Sequence, residues 1–564
     1  MSDTVSLRSA RQKPRLSLPS AGVNAWRFAV VFLALLLAVP VFVVLGHLLE
    51  PSGEVWRHLV ETVLQDYVIN SLLLMIGVAI GVLLVGVSTA WLTSMCRFPG
   101  RSVFEWALLL PMAIPAYIIA YTYTGLFDFT GPFQTLLREW TGWGYGDYWF
   151  PEIRSLEGAA LMLSLVLYPY VYLLSRAAFL GQSICVLDVS RTLGNGPWRT
   201  FFFVALPLAR PAIVAGLSLA LMETLADYGT VQYFGVSTFT TGIFRTWYGL
   251  NNATAAAQLS ALLLLVVFAL IILEKGSRRQ ARYHHTTQRH QVLTRFQLTR
   301  KQGLMAFLIC FGALFFGFLL PAGQLLWWAF TTAEESLDGR FLSLISHSLL
   351  LAGAASVLAL LPALFFSYGK RQHGNWLVLA AVRMAGMGYA IPGTVIAVGV
   401  IIPFAAFDNA LDAWVRERFG WSSGLLLSGT LAALLFAYLV RFLAVSLQTV
   451  DAGLGKIRPT LDEVARSLGS RSGEIVRRVH MPMLKGSLMT ALLLVFVDVL
   501  KELPATLILR PFNYNTLAVR AYELASDERL ADASYAALTI VIVGILPVIL
   551  LSRSIARSRH VEST

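Results

Sequence analysis

Of the 564 residues in this chain, 57% are hydrophobic and only 13% charged. Soluble domains use about 25% charged residues, so these charges are too few to clothe a water-facing surface of this size. The net charge of +12 is scattered over short loops instead of gathered in one patch, which argues against a nucleic-acid partner and for the positive-inside bias of membrane proteins.

Twelve apolar runs, each long enough to cross a hydrocarbon core of roughly 30 Å, follow in chain order. They fall near 28–49, 68–95, 103–127, 157–178, 211–235, 255–273, 303–331, 344–368, 378–405, 425–447, 486–509 and 533–552. The chain therefore reads as an all-α polytopic membrane protein with about twelve transmembrane helices. The basic stretch before the first run imitates a signal peptide, but the apolar run exceeds an h-region and no small-residue cleavage site follows it, so it counts as the first span. Threading the spans with the N-terminus in the cytoplasm puts about three quarters of the Lys and Arg inside. Both termini are then cytoplasmic, as is the basic linker 274–302, whose only acid is Glu274. Cys96, Cys185 and Cys310 fall at or near cytoplasmic span ends, where a disulfide is not expected, and they have no metal-ligand spacing.

The two sides of the linker repeat each other. Residues 1–273 and 303–564 each supply six spans in the same orientation, a parallel repeat about an axis along the membrane normal. Asn70-Ser71-Leu72-Leu73 opens the second span and His347-Ser348-Leu349-Leu350 the eighth, while Pro115 and Pro392 occupy matching places in the third and ninth. Two loops, about 185–210 and 460–485, share one pattern: an acidic residue (Asp188, Glu463), glycine six residues on (Gly194, Gly469), and an apolar-x-apolar-Pro ending (Pro207, Pro482). Gly194 to Gly469 and Pro207 to Pro482 are both separations of 275 residues.

In the second loop Thr460 and Glu463 have capping-box spacing, Leu461, Val464, Ala465 and Leu468 form one apolar stripe, and Gly469 sits where a left-handed residue would stop the helix. In the first, Val186, Val189 and Leu193 form a similar stripe before Gly194. Taken alone, such a segment reads equally as a functional element or as a bland one, an interfacial anchor or a connector. The acids read as helix-start devices stabilised by the dipole. His284, His285 and His290 read as solvated linker residues. No phosphate-binding Gly-x-x-x-x-Gly-Lys-Ser/Thr loop, metal motif or nucleophile constellation occurs, so neither catalysis nor a cofactor is expected.

Ionisable residues inside spans are costly and mark function by default. The fifth span holds Glu223 and Asp227, and the eleventh holds Asp498, Lys501 and Glu502. A shift of 275 maps Glu223 onto Asp498 and Asp227 onto Glu502. Spacing by four predicts one helix face for each pair. Two roles compete: ion pairs that fix helix packing, or polar gates on a pathway. Asp498 with Lys501 is expected to be structural, and Asp227 and Glu502 to face the pathway.

The twice-repeated loop resembles the cytoplasmic acidic-Ala-Ala loop of ABC importer permeases, although Val189-Ser190 replaces Ala-Ala in the first copy. Segments Glu223–Trp247, Lys501–Thr506, Arg520–Tyr522 and Ser526–Glu528 resemble ferric-iron permeases that carry both halves on one chain. The resemblance implies the type I ABC importer permease fold, located in a bacterial inner membrane. It implies loops that dock into two copies of a cytoplasmic ABC ATPase, and an extracytoplasmic substrate-binding protein that holds the selectivity. Thiamine and phosphonate importers share the architecture and remain alternatives. An ion-driven secondary transporter with a proton site at Asp227 or Glu502 is the rival from another class. No resident metal site is read from the sequence.

Overall fold

The computed structural model describes residues 21–51, 53–144, 146–181, 190, 192, 194, 196–279, 295–332, 339–470 and 472–560. Among them ten helices are long and apolar enough to cross a membrane. A bent pair, Arg101–Ala113 with Ala116–Thr141, makes an eleventh. Each of the twelve expected runs falls on helix. The last, in Ser534–His560, has a described apolar part, Ser534–Pro547, shorter than a full span.

The third and ninth runs, read as continuous from the sequence, break at their matching prolines. A 3₁₀ turn at Leu110–Ala113 leads to extended Ile114, and Pro115 then opens the helix Ala116–Phe127. Likewise Gly388–Ala390 leads to extended Ile391, and Pro392 opens Gly393–Phe419. Proline disfavours helical geometry in the residue before it, yet its fixed φ suits the start of a new helix. The first break turns the chain by 91°.

The fifth and eleventh runs are not the continuous spans expected at 211–235 and 486–509. Their helices start earlier, at Trp198 and Gly473, and stop at Ala226 and Leu500. Short helices follow, Gly229–Tyr233 and Phe239–Phe244 in the first half, Pro504–Leu509 and Leu517–Ser526 in the second. The N-terminal extensions survive Pro207 and Pro482 because a π-helical turn precedes each one, Phe201–Ala205 and Val476–His480. A wider turn gives room to the carbonyl that a proline ring would strike four residues back. Phe315–Leu319 serves Pro321 in the same way.

The repeated Asn70-Ser71 and His347-Ser348 acquire a physical role at these broken ends. Ser71 Oγ accepts from Phe239 N–H (3.3 Å) and Ser348 Oγ from Leu517 N–H (2.8 Å). Asn70 donates to the Ser237 carbonyl and His347 stacks on Tyr514. Each half thus uses the start of its second span to satisfy an orphan amide of the helix that follows its break.

The two halves do not keep separate cores. Helix Ala21–Gly46 packs against Trp376–Ala385 and Gly393–Phe419 of the second half, and Arg300–Thr331 packs back on the first. The crossings are close: a Cβ on Gly399 would lie 2.4 Å from the Pro40 carbonyl oxygen, and one on Gly317 2.9 Å from Pro111 Cγ. Two large apolar clusters result, each drawing residues from both halves. The linker also returns to the first half, where Phe296–Gln297 pairs in parallel with Cys96–Arg97.

At Gly388 the approach is closest, since a Cβ would stand 1.8 Å from the Val440 carbonyl oxygen. Gly388→Ala is expected to lower stability by about 1–3 kcal/mol through overpacking. Gly353→Ala, in open space on a helix, should be neutral or stabilising by up to ~1 kcal/mol. Thermal unfolding of the two variants in detergent checks the contrast.

Candidate functional site

The breaks after Ala226 and Leu500 free backbone amides beside the cavity between the halves, and one carboxylate serves each. Asp227 accepts from Thr230 N–H (3.1 Å), Val231 N–H (3.1 Å) and the Thr230 hydroxyl (3.0 Å). Glu502 accepts from Ala505 N–H (2.8 Å), Thr506 N–H (3.0 Å) and the Thr506 hydroxyl (2.5 Å). The registers are identical, three and four residues on. These are N-terminal caps for the short helices Gly229–Tyr233 and Pro504–Leu509. Asp227 and Glu502 stand beyond the ends of the long helices, so the expected one-face reading of Glu223 with Asp227 and of Asp498 with Glu502 is corrected: the chain turns between the members of each pair.

The turn nevertheless brings all five ionisable residues to one cavity of about 130 Å³ between the halves. Asp498 pairs with Lys501 at 2.9 Å, as the sequence suggested. Glu502 is 5% exposed and also accepts from Arg441 Nη1 at 3.1 Å. Arg441 was missed, although a charge inside the apolar run 425–447 was the signal that could have found it. Its guanidinium packs so close that a Cβ on Gly393 would lie 2.1 Å from Nη1. Tyr117, Tyr170 and Tyr389 complete the polar lining. Glu223 has no hydrogen bond or ion pair among the described residues.

The repeat is broken here in charge while kept in shape. A shift of 275 carries Val166 to Arg441 and Ala226 to Lys501, so both cations belong to the second half. Four carboxylates against one ammonium and one guanidinium leave a formal charge of −2 around the cavity. Among the described residues no group of three or more His, Cys, Asp or Glu is placed to hold a metal ion.

The repeated loops lie at the other functional end. Asp188 and the first stripe, Val186, Val189 and Leu193, fall outside the described residues. Gly194 has φ +79°. The second copy forms the helix Pro459–Ser467, which Pro459 opens after Arg458 at the N-cap. The expected Thr460–Glu463 capping box is therefore not formed: a proline at the first helical position supplies the start. Gly469 has φ +85°, with its N–H on Arg466 O and Ser470 N–H on Ala465 O, the Schellman stop. Glu463 is exposed. The anchored acid is its neighbour Asp462, which accepts from Arg371 Nε at 2.9 Å and meets His480 Nε2 at 2.7 Å. His480 Nδ1 is in turn bonded to the Tyr368 hydroxyl. Leu461, Val464 and Leu468 are 41%, 54% and 80% exposed, so the chain leaves the apolar stripe uncovered.

Residues 83–281 and 355–560 both match the binding-protein-dependent transport system inner membrane component family. The chain is 26% identical over 492 residues to the Fe(3+)-transport system permease protein FbpB 2 of Haemophilus influenzae, 86% of this chain and 89% of that protein. It is 24% identical over 483 residues to the putative ferric transport system permease protein FbpB 1 of the same organism, 81% and 72% of the two chains. The molybdenum transport system permease protein ModB of Escherichia coli is 30% identical over 149 residues, 26% of this chain and 62% of that protein. The chain belongs to the family of binding-protein-dependent transport system inner membrane components, carries the family's domain twice, and is a multi-pass inner-membrane protein.

The site's two kinds of carboxylate should separate on substitution. Glu502→Gln leaves Arg441 buried without a counter-charge and is expected to cost about 3–5 kcal/mol. Glu223→Gln, which removes no hydrogen bond or ion pair among the described residues, should stay within ~0.5 kcal/mol of the parent. Replacing Arg441 by Leu together with Glu502→Gln should recover part of the first loss in thermal unfolding.

Proposed function

We propose that this chain is the conduit of an ATP-driven importer and that its cargo is ferric iron. One observation carries the reading: two matched helix breaks deliver four carboxylates to a single cavity between the halves, with a formal excess of two negative charges. A buried cavity of that sign favours a cation and disfavours an oxyanion such as molybdate. The ferric relatives, aligned over most of this chain, point the same way. Glu223, free of partners among the described residues, and Asp227 are the pathway carboxylates. Asp498 with Lys501 and Glu502 with Arg441 hold the second half's frame while they line the same space. With no resident metal cage among the described residues, the cavity serves transit and leaves selectivity to an extracytoplasmic binding protein.

Residues 1–273 and 303–564 act as the two permease repeats, joined by 274–302, with both termini in the cytoplasm. There the exposed face Leu461, Val464 and Leu468, which flanks Glu463 and ends at the Gly469 stop, docks into one copy of a cytoplasmic ABC ATPase. The segment from Asp188 to Gly194 docks into a second copy. ATP hydrolysis belongs to those subunits, and this chain is not an enzyme. Pro207 and Pro482 mark where each docking loop re-enters its span. Closure of the ATPase draws the loops together and turns the cavity outward, and hydrolysis resets it.

Uptake by vesicles holding the whole transporter tests both ends. Ferric iron presented on the binding protein should be taken up and molybdate should not. Glu223→Gln with Asp227→Asn should lower iron uptake severalfold at unchanged membrane content. Gly469→Pro, which cannot adopt the left-handed stop, should depress cargo-stimulated ATP hydrolysis severalfold while the chain still inserts. Unchanged iron uptake in the carboxylate double variant would refute the cationic route.

A further inference from the structure

A second cavity, about 470 Å³, lies between the halves at the far end of the bundle. Its lining includes Arg154, just before the helix Leu156–Gly181, while the first repeated loop follows that helix's other end. A helix of 26 residues spans about 39 Å, so this cavity is remote from the loops and extracytoplasmic in the proposed orientation. One helix, Ala116–Phe127, serves both cavities: Ala116 and Tyr117 line the central one, Thr124 and Gly125 the outer.

Between them the way is shut by tyrosine. Tyr117 and Tyr121 lie four apart on one helix face, 5% and 1% exposed, and Tyr121 stacks on Trp328 of the second half. Both hydroxyls are buried without a hydrogen-bond partner among the described residues. A buried hydroxyl with no protein partner keeps its donor and acceptor for whatever polar group or water reaches it. Two of them in file between the cavities describe a route that offers oxygen ligands to a passing cargo. The file runs on to both charged ends, since Tyr117 neighbours Glu502 and Tyr121 neighbours Tyr233. The Arg154 guanidinium lies 5.3 Å from the Tyr233 ring centroid.

Arg154 also ties the halves together. Its Nη1 and Nη2 donate to Glu528 Oε1 and Oε2 at 2.8 and 3.0 Å, and Nη2 reaches Asp128 at 3.4 Å. Glu528 pays a backbone penalty to be there. It has φ +60° as the stop of helix Leu517–Ser526, with its N–H on Ala525 O and Arg529 N–H on Leu524 O. Glycine holds that conformation without strain. A glutamate held there costs backbone free energy, and such outliers are retained where the side chain has work. Its observed work is the two-pronged bond across the halves.

We propose that Arg154 and Glu528 form the latch of an extracytoplasmic gate, and that Tyr117 and Tyr121 behind it form the route along which a polar cargo passes from the outer to the central cavity. This rests on the transport reading. The test uses the nucleotide-free complex with its ATPase and binding protein in right-side-out vesicles. It carries Ala116→Cys as the only thiol, with Cys96, Cys185 and Cys310 replaced by Ser, and a membrane-impermeant methanethiosulfonate is added outside. With the latch intact labelling should be slow. Glu528→Asn and Glu528→Gly, both suited to a left-handed backbone, should each speed it about fivefold, the scale of a partly exposed ion pair. The exchanged pair Arg154→Glu with Glu528→Arg should slow it again. Equal labelling with and without the latch, or acceleration by Gly but not Asn, overturns the latch. Tyr121→Phe, which deletes an orphan hydroxyl but keeps the ring, should lower iron uptake severalfold; unchanged uptake overturns the route. Labelling needs no cargo, so absent iron uptake with normal latch behaviour counts against the transport reading alone.

Discussion

A helix interrupted inside a membrane leaves amides that neither lipid nor its own ladder can satisfy, and this chain meets that constraint twice with one carboxylate each. Asp227 and Glu502 accept in the same register from the short helices that follow. They satisfy the amides at which the fifth and eleventh helices break, beside the polar cavity between the halves. The same groups that make the fold possible bring negative charge to its centre. Structural and functional roles therefore do not divide between residues as cleanly as the sequence suggested, because a cap on a broken helix is also a charge on the wall of whatever the break opens.

Exchange of helices between the halves sets what can move. With Ala21–Gly46 packed on the second half and Arg300–Thr331 on the first, neither sequence half is a mechanical unit. Glycines at the crossings let backbones meet at distances that a methyl group would forbid. Close-packed contacts of that kind move as blocks and resist gradual deformation. The looser seams are the cavities and the latch that lie between blocks, where side chains of both halves meet across open space.

Most of the architecture was legible because duplication leaves a signal that survives sequence drift. The common separations around 275 residues located both loops, both proline breaks and the paired carboxylates. Even Ser71 and Ser348, which carried no obvious chemistry, were marked by position. The limits were local. Apolar runs cannot report where a span stops short, since residues after the break are as apolar as those before it, so 211–235 and 486–509 read as continuous. Pro207 and Pro482 closed the repeated loop pattern in the sequence, yet each lies inside a longer helix because a π-helical turn absorbs the clash. At the second loop Thr460 had the spacing of a cap, but Pro459 had the stronger claim to the first helical position. Arg441 was visible as a charge within an apolar run. Tyr117 and Tyr121 were not, because buried tyrosines are ordinary and only their place between the two cavities sets these apart.

Where the halves differ is as informative as where they agree. Beneath the loops the second half has a polar joint, Arg371–Asp462–His480–Tyr368. At the place equivalent to Tyr368 the first half has Trp91, set among Phe179, Phe201 and Phe296 with ring centroids 5.0–6.0 Å away. A bonded chain of charged and polar groups holds one geometry and fails abruptly when a member leaves, whereas stacked aromatic rings tolerate sliding. The asymmetry recurs at the cavity, where the second half pairs its carboxylates with Lys501 and Arg441 and the first leaves Glu223 without a partner among the described residues. A duplicated fold thus need not divide its charges evenly: changes in a few side chains, Val166 against Arg441 and Ala226 against Lys501, place both of the cavity's cations on the second half's wall.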